Sequence, residues 1–288
     1  MTNLPPTLAI CADSAFVTGR SHIDRGLPCQ DYALAGVEAG PGLGLGWAVV
    51  SDGCSTGGKT DVGARMWAHA AQRVLRRDGL AALDDIERLS QSVLEIAGPL
   101  LDNFDNDDGY ATLMLLASDG LRARAVVYGD GVVVALKRDG RVCFWGIHCT
   151  SNAPRYLNYT RDPKAETLWE RAWGQGEHRV YYNEYRYEPD MGAELLATHA
   201  TCAPAAEVRA QVIDIDDVPG TLGLFICSDG ALTFPGATPI QALLPLTAVQ
   251  NPTGAFIQRR LAALSRKWAK TGDGAPVDDL AVAALWLL

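Results

Sequence analysis

The amino-acid sequence predicts an α+β fold, with helices placed between groups of strands. Three observations carry this prediction. Short apolar runs of strand length stop at turn-forming residues, while longer stretches repeat apolar residues with helical spacing. The predicted strands come in groups and do not alternate with helices, which favours α+β over a doubly wound parallel sheet. The composition, 48% hydrophobic and 20% charged residues, is typical of a globular chain with a sizeable core.

The first third of the chain is predicted to contain two strands followed by two helices. Residues 8–17 and 44–50 form apolar, strand-like runs, and the second run stops abruptly at a Ser-Asp-Gly sequence. Helical spacing of apolar residues extends over 60–77 and again over 83–104. Pro99 is expected to kink or shorten the second of these helices, because proline lacks the amide hydrogen that a helix interior needs.

The middle of the chain is predicted to be a meander of strands, and the end a strand, a helix and a closing strand. The Asp-Gly pairs that begin at Asp119 and Asp139 mark tight turns within the meander. The predicted strands are 110–117, 121–128, 132–137, 142–147, 222–227 and 280–288, and the predicted helix is 254–270.

The segment 148–219 shows neither helical nor strand periodicity. It is rich in Tyr, Trp, Arg and Glu. Two interpretations stay open: an insertion whose loops face the substrate, and an irregular structural cap.

Charge and cysteine content restrict the classes of partner and compartment. The net charge is −9 and the sequence pI is about 5.0, so we expect neither nucleic acid nor a membrane as a partner. No apolar stretch reaches the length of a membrane span, and the first ten residues do not resemble a signal peptide. Seven cysteines without a C-x-x-C pair are expected to be reduced thiols. We therefore expect a cytoplasmic protein.

Several aspartates follow strand-like runs and are candidates for metal ligands. Asp52, Asp130, Asp229 and the pair 278–279 each stand at the boundary of an apolar run, and Asp31 stands in a predicted loop before another. Turn formation alone explains most single Asp-Gly pairs. Carboxylates gathered at strand ends would also repel one another and favour a hard divalent cation, magnesium or manganese rather than zinc. Both interpretations stay open at this point.

Six short motifs follow one another in an order that resembles one known family. They are Gln30-Asp31, Ser51-Asp52-Gly53, Gly109-Tyr110-Ala111-Thr112, Gly129-Asp130, Ser228-Asp229-Gly230 and Asp278-Asp279. Their order and spacing resemble the type 2C protein phosphatases, the metal-dependent Ser/Thr phosphatases, from about Ile10 to the C-terminus. The resemblance implies a sandwich of two antiparallel β-sheets flanked by helices on both outer faces. It also implies one domain over 1–288, with 148–219 as an insertion.

The resemblance assigns metal-binding roles to four residues. Asp52 is similar to the aspartate that bridges two metal ions, and Gly53 to the residue whose backbone carbonyl binds one of them. Asp229 is similar to a ligand of the second ion. Asp278 is similar to the last ligand, which places Asp279 where the family has Asn, with a slip of one residue left open.

The resemblance also suggests residues around the substrate. Asp31 would hold metal-bound water, while Arg25 is the candidate for binding phosphate and His22 a second candidate that donates a proton. A solvated-loop interpretation stays open for Arg25 and His22. Thr112 matches a threonine with a mainly structural role.

Two positions depart from the family pattern. Cys54 stands where many members have His, and Thr233 stands where a third metal site, shared with Asp130, would need an acid. A third metal site is therefore doubtful.

The implied activity is hydrolysis of phosphoserine or phosphothreonine in a phosphorylated protein, through water activated by two Mn²⁺ or Mg²⁺ ions. A catalytically weak binding or regulatory module with the same fold is the alternative. An unrelated hydrolase with coincidental Asp-Gly turns is a third interpretation.

Overall fold

A computed structural model describes residues 9–39, 44–188, 192–271 and 274–288 of the 288-residue chain. Among these residues the strands are, in chain order, β1 (Ile10–Val17), β2 (Asp31–Glu38), β3 (Leu45–Asp52), β4 (Leu113–Ser118), β5 (Ala123–Tyr128), β6 (Gly131–Lys137), β7 (Arg141–Cys149), β8 (Glu177–Glu188), β9 (Gly192–Pro204), β10 (Gln211–Asp214), β11 (Thr221–Cys227) and β12 (Leu280–Leu287). The α-helices are α1 (Arg20–Arg25), α2 (Thr60–Asp78), α3 (Ile86–Leu101), α4 (Pro163–Trp173), α5 (Pro239–Thr247) and α6 (Phe256–Thr271).

The strands form two antiparallel sheets. The seven-stranded sheet has the order β1-β12-β11-β6-β7-β8-β9, and the five-stranded sheet has the order β10-β5-β4-β3-β2. Helices α2 and α3 cover the outer face of the five-stranded sheet, and α5 and α6 cover the outer face of the other. The predicted sandwich with helices on both outer faces is thus confirmed. No helix of the described residues is long and apolar enough to cross a bilayer.

Strand β12 shows why the central strands appear as unbroken apolar runs in the sequence. Its odd-numbered residues, such as Ala283 and Leu285, pack in the core between the sheets. Its even-numbered residues, such as Val282 and Ala284, pack against α5 and α6. Because successive side chains of a strand point to opposite faces, burial of both faces requires an apolar residue at every position.

Most predicted elements of the sandwich are present, with shifted ends. The predicted helix 83–104 begins later, at Ile86, because the Asp85 side chain caps it by accepting a hydrogen bond from the Arg88 amide at 3.0 Å. Pro99 lies inside its last turn. The predicted strand 110–117 begins only at Leu113, after a 3-10 helix.

Four regions hold structure that the sequence did not predict, and one of them is strand β2. Helix α1 lies between β1 and β2, and α5 begins at a Thr-Pro sequence with a capping box. The segment 148–219, which showed no periodicity, contains α4, the long β8–β9 hairpin and the short β10. Strand β8 pairs with β7 and with β9, and so extends the seven-stranded sheet.

Candidate metal centre

Asp31 and Asp52 lie opposite each other in the five-stranded sheet. The antiparallel register of β2 and β3 pairs Asp31 directly with Asp52 at the end of both strands. Ala33 and Val50, two residues along each strand, pack in the core between the sheets, so both aspartates fall on that inner face. Asp31 is 2% exposed and is the first residue of β2, whereas the sequence placed it in a loop.

The other acids come from the seven-stranded sheet. Asp130 directly precedes β6, Asp229 lies two residues after the end of β11, and the pair 278–279 directly precedes β12. Because β6, β11 and β12 are neighbours, these strand ends meet at one edge of the sandwich. The glycines that flank Asp130 have φ values of 102° and 137°, which side-chain-bearing residues rarely adopt, so the turn that presents this acid requires them.

The electrostatics of the acids show that they form one array. Burial raises the pKa of Asp52 well above its usual range, and the charges of Asp31, Asp229 and Asp130 raise it further. Burial likewise raises the pKa of Asp130 to about 8, with Asp229 adding to the effect. Burial also raises the pKa of Asp229, and Asp278 adds to it, while His148 acts in the opposite direction. The predicted convergence of these acids is therefore present in the structure.

The array fits a hard divalent cation by charge and by ligand type. In the described part of the chain, no Lys or Arg forms an ion pair with these aspartates. The buried Asp31 Oδ2 and Gln30 Oε1 have no hydrogen-bond partner. The carboxylates and the Gly53 carbonyl offer oxygen ligands, which suit magnesium or manganese. The residues that could hold such ions are Asp52, the Gly53 carbonyl, Asp229 and Asp278.

The acid side chains of the array are not gathered around a single point. Among the described residues, no group of three His, Cys, Asp or Glu side chains is placed to hold one ion. The carboxyl of Asp52 is instead close enough to those of Asp31 and Asp229 for hydrogen bonds between them. Two adjacent carboxyls can share a proton in this way, and a cation competes with that proton.

Gly53 lies where only a glycine fits. A Cβ atom at this position would lie 2.8 Å from the Gln30 carbonyl oxygen and 2.9 Å from that of Thr60. Thr112 holds Asp52, the residue before Gly53, in place. The Thr112 amide donates a hydrogen bond to the Asp52 carbonyl at 2.8 Å, and the Thr112 hydroxyl accepts one from the Asp52 amide at 3.2 Å. The backbone around Asp52 is thus fixed from both sides.

Asp279 has a different role from Asp278. Its carboxylate accepts hydrogen bonds from the Gly19 amide at 2.7 Å and the Gln30 amide at 2.6 Å, and lies 2.7 Å from His22 Nδ1. These contacts use both carboxylate oxygens. Asp278 is half-buried and lies beside Asp229, so it is the member of the pair that is free to bind a metal.

His22 differs from the solvated-loop interpretation, because its ring is 1% exposed and is held by Asp279. Its role as a proton donor stays a prediction. Arg25, in contrast, lies on the surface at the end of α1, where its Nε donates to the Ser21 carbonyl at 3.0 Å. The structure shows no ion pair between Arg25 and a described acid.

Thr233 takes a structural part in the array. Its hydroxyl oxygen accepts hydrogen bonds from the amides of Val277 and Asp278, each at 3.1 Å. The threonine thereby holds the loop that carries Asp278, and it supplies no second acid beside Asp130.

Tyr156, from the unassigned segment, lies beside the array and was not predicted from the sequence. Tyr156 is 8% exposed and stacks on Tyr110, with ring centroids 5.9 Å apart. Burial raises its pKa, and the nearby Cys54 thiol and Asp130 carboxyl add to that effect. The abundance of Tyr in the segment was the available signal, but without periodicity it did not indicate which ring reaches the acids.

Comparison with known proteins places this geometry in a family. The family model for protein phosphatase 2C matches residues 18–266. A sequence comparison with curated proteins gave no match.

Solved structures with the same fold share little sequence with the chain. The S. agalactiae serine/threonine phosphatase is 14% identical, with a TM-score of 0.51, over 97% of this chain and 100% of that one. The Staphylococcus aureus serine/threonine phosphatase Stp1 is 13% identical, with a TM-score of 0.51, over 100% of this chain and 99% of that one.

A C. elegans sex determining protein is 14% identical, with a TM-score of 0.55. That match covers 97% of this chain and 65% of the longer protein. At these identities the likeness shows the fold alone, whereas the family model covers most of the chain. The chain, with its aspartate array at the edge of the sandwich, therefore belongs to the protein phosphatase 2C family.

Proposed function

We propose that this chain is a metal-dependent phosphatase that hydrolyses phosphoserine or phosphothreonine in proteins. The observation that carries the proposal is the array of buried aspartates, drawn from both sheets, whose charge no Lys or Arg of the described residues offsets. A site of this kind accumulates positive metal charge, and a phosphomonoester dianion is attracted to that charge. Family membership supports a protein phosphatase of this type.

The proposed chemistry divides between the cations and the protein. Two divalent cations, when bound, would offset the phosphoryl charge and lower the pKa of water. Asp52, the Gly53 carbonyl, Asp229 and Asp278 would hold them. Asp31 would accept a hydrogen bond from the attacking water and so orient it. The water oxygen bonds to phosphorus, the bond from phosphorus to the Ser or Thr oxygen breaks, and a proton moves to that oxygen.

His22 and Arg25 take distinct parts in the proposal. His22 orients Asp279, which in turn holds the backbone of Gly19 and Gln30 beside the array. Arg25 stays a candidate for binding phosphate from the surface. The kinetic constants of Arg25→Ala test this role. A higher KM with an unchanged response to manganese supports phosphate binding by Arg25, whereas unchanged kinetic constants mean that Arg25 is a solvated surface residue with no part in binding.

The decisive experiment compares hydrolysis of a small aryl phosphate, and of a phosphothreonine peptide, with added manganese and after chelation. Turnover that depends on the metal supports the proposal. A wild-type protein that is inert with every divalent cation would favour the alternative, a binding or regulatory module. The features that favour that alternative are the half-exposed Cys54, where many members have His, and the hydrogen-bonded Thr233, where a third metal site would need an acid.

A further inference from the structure

His148 is an exposed histidine at the edge of the aspartate array. It lies near the end of β7, between Ile147 and Cys149, which are both buried. Because neighbouring side chains of a strand alternate, the imidazole of His148 points away from those two residues into solvent. The residue paired with Ile147 on β6 is Gly131, and Asp130 directly precedes it. His148 therefore lies at the same end of the sheet as the acids.

Two further observations concern the chemistry of this position. The His148 ring makes no hydrogen bond or ion pair with any described residue, although it is near enough to Asp229 to lower the pKa of that buried acid. In a chain of net charge −9, it is a hydrogen-bond donor beside an array of acids. Cations held by the acids would attract a phosphoryl dianion to the array, and a donor at the rim would add a hydrogen bond to one of its oxygens.

Arg179 lies next to His148 on the neighbouring strand. The register of β7 and β8 pairs the two residues directly, which places their Cβ atoms about 4.5–5.5 Å apart. The Arg179 side chain is 52% exposed, and its ion pair is with the equally exposed Glu177. Exposed pairs of this kind exchange partners at little cost, so the guanidinium can turn to an incoming anion.

We propose that His148 binds the phosphoryl group of the substrate, with Arg179 adding positive charge behind it. The His148 N–H donates a hydrogen bond to a phosphoryl oxygen of a phosphomonoester at the rim of the array. This inference rests on the proposed phosphatase function and deepens it, because it gives a substrate-binding role to the segment 148–219. His148 is a substrate-positioning residue in this account and does not hold the metal.

The test compares four proteins. His148→Ala removes the donor, His148→Asn keeps a side-chain N–H, and Arg179→Gln removes the charge behind it. The control is His199→Ala, an exposed histidine on β9 of the same sheet. With an aryl phosphate, we expect His148→Ala to raise KM and the inhibition constant of inorganic phosphate by roughly tenfold, as for loss of one hydrogen bond to a charged group. His148→Asn should recover part of this loss, and Arg179→Gln should show about a twofold to threefold effect that fades with salt.

A second measurement separates phosphate binding from metal binding and from turnover. The melting temperature is recorded with magnesium alone and with magnesium plus inorganic phosphate. We expect the magnesium shift to be unchanged in His148→Ala and the phosphate shift to shrink. If His148→Ala shows the same kinetic constants and melting-temperature shifts as His199→Ala, the inference is overturned while the phosphatase function stands. The inference is also overturned if His148→Ala loses the magnesium shift. A wild-type protein without activity would instead reject the phosphatase function. The melting-temperature shift with phosphate then tests the inference alone, and a wild type that shows no phosphate shift overturns the inference.

Discussion

Strands β12 and β9 belong to the same sheet but have opposite environments. Every residue of β12 is buried, whereas nearly every residue of β9 is exposed. Both strands are held by regular antiparallel ladders. The contrast between the sandwich and the segment 148–219 shows that an apolar pattern in a sequence reports burial of a strand's faces, and that a strand exposed on both faces leaves no such pattern.

The two regions also contribute different chemistry to the site. The sandwich supplies the aspartates, which lie at its strand ends. The segment 148–219 supplies neutral or basic groups, Tyr156 and His148, at the border of the array. Substitutions in either region test this difference, and the largest effects are expected at the aspartates.

The largest effect is expected for Asp52→Asn, in the sandwich. Asp52 interacts with Asp31, Asp130 and Asp229, so its loss disturbs the whole array. We expect kcat/KM to fall on the order of a thousandfold, since several kcal/mol of barrier are lost and each 1.36 kcal/mol is about tenfold. Steady-state hydrolysis of a phosphothreonine peptide measures this.

The matched control for that variant is Asp139→Asn, at a surface turn, which should keep the wild-type rate. Circular dichroism shows whether both variants fold. Turnover by folded Asp52→Asn at the wild-type rate would contradict the proposed mechanism.

Asp130→Asn should retain substantial activity at high manganese, because Thr233 supplies no acid beside it.

The second effect is a pH dependence of stability without metal. The pKa of Asp130 is raised from 3.8 to about 8, so the folded state binds more protons than the unfolded state between these values. Stability in chelator should therefore fall as pH rises from about 4 to about 8, by on the order of 5 °C in Tm. Manganese should reduce this fall. A Tm in chelator that rises across the same range would contradict the uncompensated array.

The third effect concerns how the segment 148–219 attaches to the sandwich. Asn158 is fully buried, its Nδ2 donates to the Asn106 carbonyl at 2.9 Å, and its Oδ1 accepts from Arg161 at 2.8 Å. Asn158→Ala should lower the free energy of unfolding by about 1–3 kcal/mol, because buried partners lose their hydrogen bonds. Asn183→Ala, half-buried on β8 in the same segment, is the control with a smaller expected effect. Denaturant unfolding measures both, and equal effects would mean that Asn158 is not an anchor.

The smallest effect is expected on β9 itself. Ala200→Thr adds a methyl and a hydroxyl group to an exposed strand position and should change the free energy of unfolding by less than about 0.5 kcal/mol. The same substitution at Ala283, buried between the sheets, should cost about 1–3 kcal/mol. If the two variants are equally stable, the difference in environment between β9 and β12 does not exist in solution.

The strands of the sandwich could be predicted because burial leaves a readable pattern, and the acids because each stands at or next to one end of an apolar run. Helix α1 was missed since it has six residues and no apolar stripe. Helix α5 did carry a signal, Thr238 followed by Pro239 and Gln241, that was not used. The contact of His22 with Asp279 joins residues 257 positions apart, so local sequence could not indicate it.

The outer edge of β9 bears on how the protein behaves at high concentration. In the described part of the chain β9 has one strand neighbour, β8, so every other amide along it lacks a ladder partner. Hydrogen–deuterium exchange should therefore alternate between slow and fast along this strand. Between Gly192 and Pro204, Glu194 is the one acidic or basic residue other than His199, so little discourages another extended chain from adding there. Thr198→Lys would disfavour strand pairing between molecules at this edge. It should reduce aggregation at high concentration and leave the aspartate array unchanged.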